Sequence, residues 1–256
     1  MENLVLDNKT KKSRIPAWLD LTQSGTGLIL GIFMWIHMLL ISSILLGTGS
    51  FKFVANIMEL AFLSPTGTGY PIAVVFAVFG VFTLFILHAG LGMRKFPSSY
   101  KQFKTIRAQM KLLKHEDTNL WFYQALTGFI MFFAGSVHLY IMLTNPSIAP
   151  EISAGRVFSS TMWPLYLILL IAVEYHGAIG LYRLCMKWNW LIGSDAKKGR
   201  AKLKKMKKTA TMFFLILGIL SLIAFFYLVI DIATIVKKKQ PQKFQQLLHN
   251  NILRGN

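Results

Sequence analysis

A single cysteine in 256 residues, Cys185, excludes a disulfide framework and leaves no thiolate cluster to hold an iron–sulfur centre within this chain. Acidic residues are scarce too: ten Asp and Glu stand against twenty-eight Lys and Arg, for a formal net charge of +18. Charged residues of both signs make up only 15% of the chain and apolar residues 54%, a composition displaced from that of a soluble domain. No glycine-rich fingerprint for a flavin, no internal repeat and no large hydrophilic segment is present. A self-contained flavoenzyme is therefore excluded.

What is present is apolar length. Runs near 23–47, 71–93, 119–144, 161–187 and 209–236 each reach or exceed the ~20 residues that cross a bilayer as helix. The expected fold is all-α: a polytopic membrane protein with five transmembrane helices in one bundle. An N-terminal arm (1–22), the bundle (23–236) and a basic polar tail (237–256) divide the chain. The first apolar run is too long for a cleavable signal peptide and is expected to remain as a span.

Charge placement orients the spans. Twenty-one of the twenty-eight cations fall in the N-terminal arm, in 94–118 and in 183–208. The positive-inside rule puts all three segments in the cytoplasm. The tail beginning Lys237-Lys238-Lys239 then lies outside, against the pattern. A charge of +18 needs no nucleic acid here: basic loops fix topology and meet anionic lipid. The same cationic face suits docking of an acidic soluble subunit.

Four of the six histidines, His37, His88, His138 and His176, lie in four different apolar runs. Ionisable residues in hydrocarbon are costly and point to function. At 1.5 Å rise per residue, His37 and His138 lie ~21 and ~28 Å from the inner ends of their spans, and His88 and His176 only ~8–10 and ~16 Å. Depth therefore pairs His37 with His138 on the outer side and His88 with His176 on the inner. Two facing imidazoles are the protein's share of a six-coordinate haem. The rival readings, hydrogen bonds to neighbouring helices or a non-haem metal, fit four histidines at two matched depths less well.

Spacing adds detail. Gly180, Arg183 and Lys187 follow His176 by four, seven and eleven residues along one helical stripe. Glycine admits a flat macrocycle, and Arg183 and Lys187 lie where its propionates would end. Gly128 and Gly135 share a broad face with His138. Glycines alone equally serve helix packing, as in Gly27-x-x-x-Gly31. Glu174, two residues before His176, points to nearly the opposite face and suits proton carriage; a protonated, hydrogen-bonded glutamate is the alternative. Glu59 lies in an outer-side stretch, 56–62, that looks amphipathic and interfacial; beside an outer haem it would take protons from a quinol. His115 and His249 are expected at the surface.

Several segments together resemble one family. They are Leu19-Asp20-x-x-Gln23-Ser24-x-Thr26-Gly27 with His37-Met38, His88-Ala89 with Met93-Arg94-Lys95-Phe96-Pro97, and Asp117-Thr118-x-Leu120-Trp121. Gly135-Ser136-Val137-His138-Leu139-Tyr140, Met162-Trp163-Pro164-Leu165-Tyr166 and Val173-Glu174-x-His176-Gly177-x-x-Gly180-Leu181-Tyr182-Arg183 complete the set. From about Lys11 to Lys208 the chain resembles the dihaem cytochrome b subunits of bacterial quinol:fumarate reductases. These are five-helix membrane anchors of the succinate dehydrogenase/fumarate reductase superfamily.

The resemblance implies two haem b groups, ligated by His37 with His138 and by His88 with His176. It implies Gln23, Ser24, Trp121 and Lys187 around the inner propionates and Arg156 near the outer ones; Arg183 is added from the stripe alone. Glu59 matches the acid at the outer menaquinol-oxidation site, and Glu174 the transmembrane proton path. Electrons would pass from menaquinol through the haems to an iron–sulfur subunit, and a flavoprotein subunit would reduce fumarate. Dimerisation of such a complex stays open. So do a succinate:quinone reductase using the same anchor, and a cytochrome b of another quinone-linked dehydrogenase. A non-redox transporter or passive anchor is the reading without cofactor.

Overall fold

The computed structural model describes residues 14–113 and 116–254, with residues 113 and 239–254 described by backbone alone. Eight helices are found among them: α1 Ile15–Ile41, α2 Thr48–Met58, α3 Pro71–Met93, α4 Tyr100–Leu113, α5 Glu116–Thr144, α6 Pro150–Ala154, α7 Trp163–Trp188 and α8 Ala196–Arg254. Five of these segments are long and apolar enough to cross a membrane: Ile15–Leu46, Pro71–Met93, Glu116–Thr144, Trp163–Trp188 and Ala196–Lys238.

The helix ends follow local chemistry. α1, α3 and α7 each carry proline in the first turn, where its missing N–H costs nothing. Glu116 and Asp117 open α5 at the positive end of its dipole. α7 stops at Asn189 in the left-handed region (φ 58°). The Asp195 carboxylate accepts hydrogen bonds from the Lys197 and Lys198 backbone N–H groups, both 3.0 Å, and so caps α8.

Packing closes four spans into a ring. α1 packs on α3, α3 on α5, α5 on α7 and α7 back on α1, while α8 lies against α7 with lighter contact to α1. Neither α1 with α5 nor α3 with α7 is in extended contact, so these pairs face each other across the ring's interior. The outward faces are apolar and open: Phe76 is 72% exposed, Phe133 66% and Tyr227 66%. In water such surface would drive association; here lipid covers it.

One end of the ring is basic, carrying Arg94, Lys95, α4 and the start of α8. At the opposite end, a 3₁₀ turn (Ser42–Leu46), α2, α6 and a π turn (Gly155–Ser159) fold over the bundle. Ile44, Phe51, Ala55, Val74, Ile148, Ala154 and Phe225 form the core beneath them.

Residues 1–13 of the expected arm lie outside the described residues; from Ile15 the chain is already helical, with proline in the first turn, and Asp20 on this helix pairs with Lys187 on α7 and with Lys95 just after α3. Residues 56–62 do not form one interfacial helix: α2 ends at Met58, and Leu60 is left-handed (φ 55°). The resulting turn lets the Tyr70 N–H donate to the Glu59 carbonyl at 2.6 Å. At the other terminus α8 continues as helix to Arg254 instead of ending at the expected tail. His115 and the His249 side chain lie outside the described residues.

The seat of α8 depends on Gly218. A Cβ there would stand 2.5 and 2.8 Å from the two Leu170 methyls and 2.8 Å from the Met38 methyl. Gly218→Leu is expected to destabilise the bundle by about 1–3 kcal/mol, read as a lower melting temperature in detergent; an unchanged melting curve would contradict this packing.

Candidate functional site

The two diagonals of the ring are bridged by histidine. His37 on α1 faces His138 on α5, and His88 on α3 faces His176 on α7; the ring centroids are 6.4 Å apart in both pairs. A metal bound between two imidazoles by bonds of ~2.0–2.1 Å, with about 1.1 Å from each nitrogen to its ring centre, requires roughly 6.3 Å. Among the described residues no group of three or more His, Cys, Asp or Glu is placed to hold a metal. Each pair therefore offers two facing imidazoles and, among the described residues, no third side chain placed to complete a metal site.

The pair at the basic end sits in a cavity of about 660 Å³, within the ~300–1,000 Å³ usual for ligand sites. Its imidazoles are pinned at Nδ1. The His176 Nδ1–H donates to the Gln124 carbonyl at 2.8 Å, and His88 Nδ1 lies 3.1 Å from the Thr26 hydroxyl. Both rings press on bare backbone: a Cβ at Gly128 would be 2.9 Å from His176 Cε1, and one at Gly27 would be 2.7 Å from His88 Cε1. The glycines thus make room for the imidazoles as well as for anything between them.

Polar groups collect at the basic mouth of this cavity. Gln23, Ser24, Trp121, Arg183 and Lys187 all line it, as do Gly128 and Gly180. The Lys187 ammonium donates to Asp20 (2.7 Å) and Ser24 (3.2 Å), and Arg183 donates to the Gln124 side-chain oxygen at 2.6 Å. Lys95 also pairs with Asp20. Gln23 Oε1 is buried without a hydrogen-bond partner, and Trp121 lies against Phe96. Gly135, in contrast, faces Phe85 and Leu169.

At the opposite end, Phe33 stacks on His37 at 5.7 Å and Tyr166 meets His138 edge-on at 5.4 Å. His138 Nδ1 is buried and unpartnered. Arg156 Nη2 donates to the Asn145 and Ser147 carbonyls at 2.8 and 2.7 Å. Burial lowers the Arg156 pKa from its usual value, and among the described residues it pairs with no carboxylate. Such a cation favours an anionic ligand. The next residue of the same loop, Ile148, donates its N–H to Glu59 Oε1 at 3.1 Å, so Glu59 and Arg156 grip one short segment from two sides.

Glu174 is fully buried, and neither carboxyl oxygen has a hydrogen-bond partner. The indole N–H of Trp35, also buried and unpartnered, approaches it without closing a bond of good geometry. Phe214 stacks on that indole at 5.3 Å.

Comparisons with known proteins give the family. Residues 97–218 match the succinate dehydrogenase/fumarate reductase transmembrane subunit family. The chain is 52% identical over 212 residues to the fumarate reductase cytochrome b subunit of Wolinella succinogenes, covering 82% of each chain. It is 46% identical over 210 residues to the subunit of that name from Helicobacter pylori, covering 82% of this chain and 80% of the relative. The chain belongs to the family of fumarate reductase cytochrome b subunits.

Within that family frame, four contributors emerge that sequence reasoning did not single out: Asp20, Lys95, Thr26 and Gln124. Asp20, Lys95 and Thr26 stand inside the motifs that carry the resemblance, but their partners are on other helices and no spacing rule reaches them. Gln124 acts partly through its backbone carbonyl, which leaves no mark in sequence.

Gly128 is the sharpest steric test. Gly128→Val is expected to push the His176 ring from its seat and to remove one b-type haem signal from the reduced-minus-oxidised spectrum while the other persists. Retention of both would mean that the close approach is not required.

Proposed function

We propose that this chain is the membrane anchor and electron-transfer subunit of a quinol:fumarate reductase, oxidising menaquinol at the end opposite the basic loops. The carrying observation is the equal 6.4 Å spacing of two histidine pairs at two levels of one ring. Haem b fits both: His37 with His138, and His88 with His176, would hold it. When bound it supplies one-electron redox chemistry that no side chain provides.

The chain's own groups do the rest. Lys187, Ser24, Gln23, Trp121 and Arg183 would surround the propionates at the basic end, and Arg156 those at the other. Glu59 keeps one carboxyl oxygen on the Ile148 N–H and has the second for a quinol hydroxyl, whose proton it takes as the quinol is oxidised. Glu174, sealed between α1 and α7, holds a proton within the bundle. Moving a charge inward across 100 mV costs ~2.3 kcal/mol, and a proton moving the same way through Glu174 cancels that cost.

The positive-inside rule supports a cytoplasmic basic end in a bacterial inner membrane. There Arg94, Lys95, α4 and the start of α8 offer a cationic surface to an iron–sulfur subunit, which in turn meets the flavoprotein that reduces fumarate. With one cysteine the chain cannot supply that cluster itself.

Haem quantification of the purified complex is the direct test: two b haems per chain are expected, and His37→Ala or His88→Ala should each abolish a different one. No haem in well-folded protein would overturn the reading. Glu59→Gln is expected to lower quinol oxidation by about 10²–10⁴-fold with both haem spectra intact; normal oxidation would remove Glu59 from the site. Glu174→Gln should depress quinol:fumarate turnover with haems unchanged, and full turnover would dismiss the proton path.

A further inference from the structure

At the basic-end pair, every polar hydrogen can be assigned. The Thr26 hydroxyl has one proton. It lies 2.8 Å from the Thr22 carbonyl and 3.2 Å from the Gln23 carbonyl, both acceptors one turn back on α1. That proton is therefore spent on the backbone, and the side of Oγ1 turned to His88, 3.1 Å away, presents a lone pair. A lone pair is met only by a donor. His88 Nδ1 must carry the imidazole proton.

We infer that Thr26 is a positioning residue for the basic-end site: its hydroxyl oxygen accepts the His88 Nδ1–H and fixes the tautomer in which Nε2 is the free ligand atom. The inference rests on the reading of His88 as an iron ligand. Thr26 is 6% exposed, so no bulk water replaces it as acceptor. Gly27, the next residue, brings the backbone against the same ring, and a Cβ there would collide with Cε1. Thr26 and Gly27 together set both the protonation pattern and the orientation of the ring.

The two ligands of this site are held differently. His176 donates to a backbone carbonyl, that of Gln124, which no substitution deletes. His88 meets a side-chain oxygen, that of Thr26, with the Gln23 backbone also within its reach. At the far pair, His138 Nδ1 is buried without a partner. An acceptor at Nδ1 makes the imidazole a stronger donor through Nε2 and favours ferric iron. One haem of the two therefore answers to Thr26.

Thr26→Val keeps the shape and removes the lone pair. In the assembled complex, potentiometric titration with low-temperature EPR should show one haem with a raised midpoint potential. The expected change is about tenfold in its oxidised-to-reduced ratio, which is ~59 mV for one electron. The haem that moves must be the one lost in His88→Ala, and Thr26→Ser should restore its potential and its low-spin signal. Unchanged potentials in Thr26→Val, or both haems shifting alike, would overturn the inference. If His88→Ala itself leaves both haems in place, the ligand reading fails and this inference with it. If His88→Ala removes one haem while Thr26→Val matches wild type, only the role of Thr26 falls. Poor assembly of Thr26→Val is resolved by Thr26→Ser and Thr26→Ala in the same titration, since only the serine keeps an acceptor; equal potentials in those two also overturn it.

Discussion

The need of a buried imidazole for partners at its ring nitrogens shapes the basic-end half of this protein's centre. In hydrocarbon an unpaired polar nitrogen is costly, and water is not there to relieve it. At the basic-end pair the chain meets the Nδ1 side itself, with the Gln124 carbonyl and the Thr26 hydroxyl. That arrangement aims the opposite nitrogen into the ring's interior. The helices follow from it: α1 and α5 stand close enough to α3 and α7 to hold the rings, yet the diagonals stay open. Gly27 and Gly128 keep the backbone approach short without closing the gap.

Charge is arranged with the same economy. The scarce acids concentrate where the cations are densest. Asp20 draws Lys95 and Lys187 to one point, while Asp117 accepts from both Tyr182 and Arg200. Glu116 pairs with Lys204, tying the start of α8 to α5. These contacts are partly exposed and individually weak. Their value is positional: they anchor the side chains at the cavity mouth while leaving an excess of positive charge. For the haem proposed there, removing propionates from water would otherwise be prohibitive. A mouth already furnished with Lys187 and Arg183 offers both positive charge and N–H donors to an anionic group.

The sequence disclosed the parts of this design that depend on regular geometry. Helical rise is constant, so depth alone matched the histidines that the structure brings face to face. The 3.6-residue period put His176, Gly180, Arg183 and Lys187 on one stripe, and all four line one cavity. The parts that depend on tertiary contact were invisible. Asp20 reads as a polar residue outside the membrane because its partners lie 75 and 167 positions away. Residues 56–62 have an amphipathic pattern, yet the turn at Leu60 and the Glu59–Ile148 contact break it. The roles given to Gln23, Ser24, Trp121 and Arg156 came from resemblance, since no spacing rule selects them. That four helices close a ring with histidines on its diagonals follows from which faces meet, and a single sequence does not specify that.

The relation between Glu174 and His176 carries the last step. Two residues apart on α7, they point to opposite sides of the helix, the histidine into the ring and the glutamate into the seam with α1. A carboxylate among the axial ligands would compete for the metal and place a negative charge beside it. A carboxyl in the seam would be insulated from a metal held by His176 as proposed, yet only half a turn away. Electrons and protons have different physical needs: electrons tunnel between cofactors across packed protein, whereas protons require a chain of polar groups. A single helix that turns one face to each can serve both without letting them meet. In the proposed function, where the membrane potential opposes inward electron flow, that separation would let one movement of charge offset the other. On the proposed proton path, the buried, unpartnered oxygens of Glu174 would suit a site that accepts a proton and also releases it, which a fully satisfied hydrogen-bond network would resist.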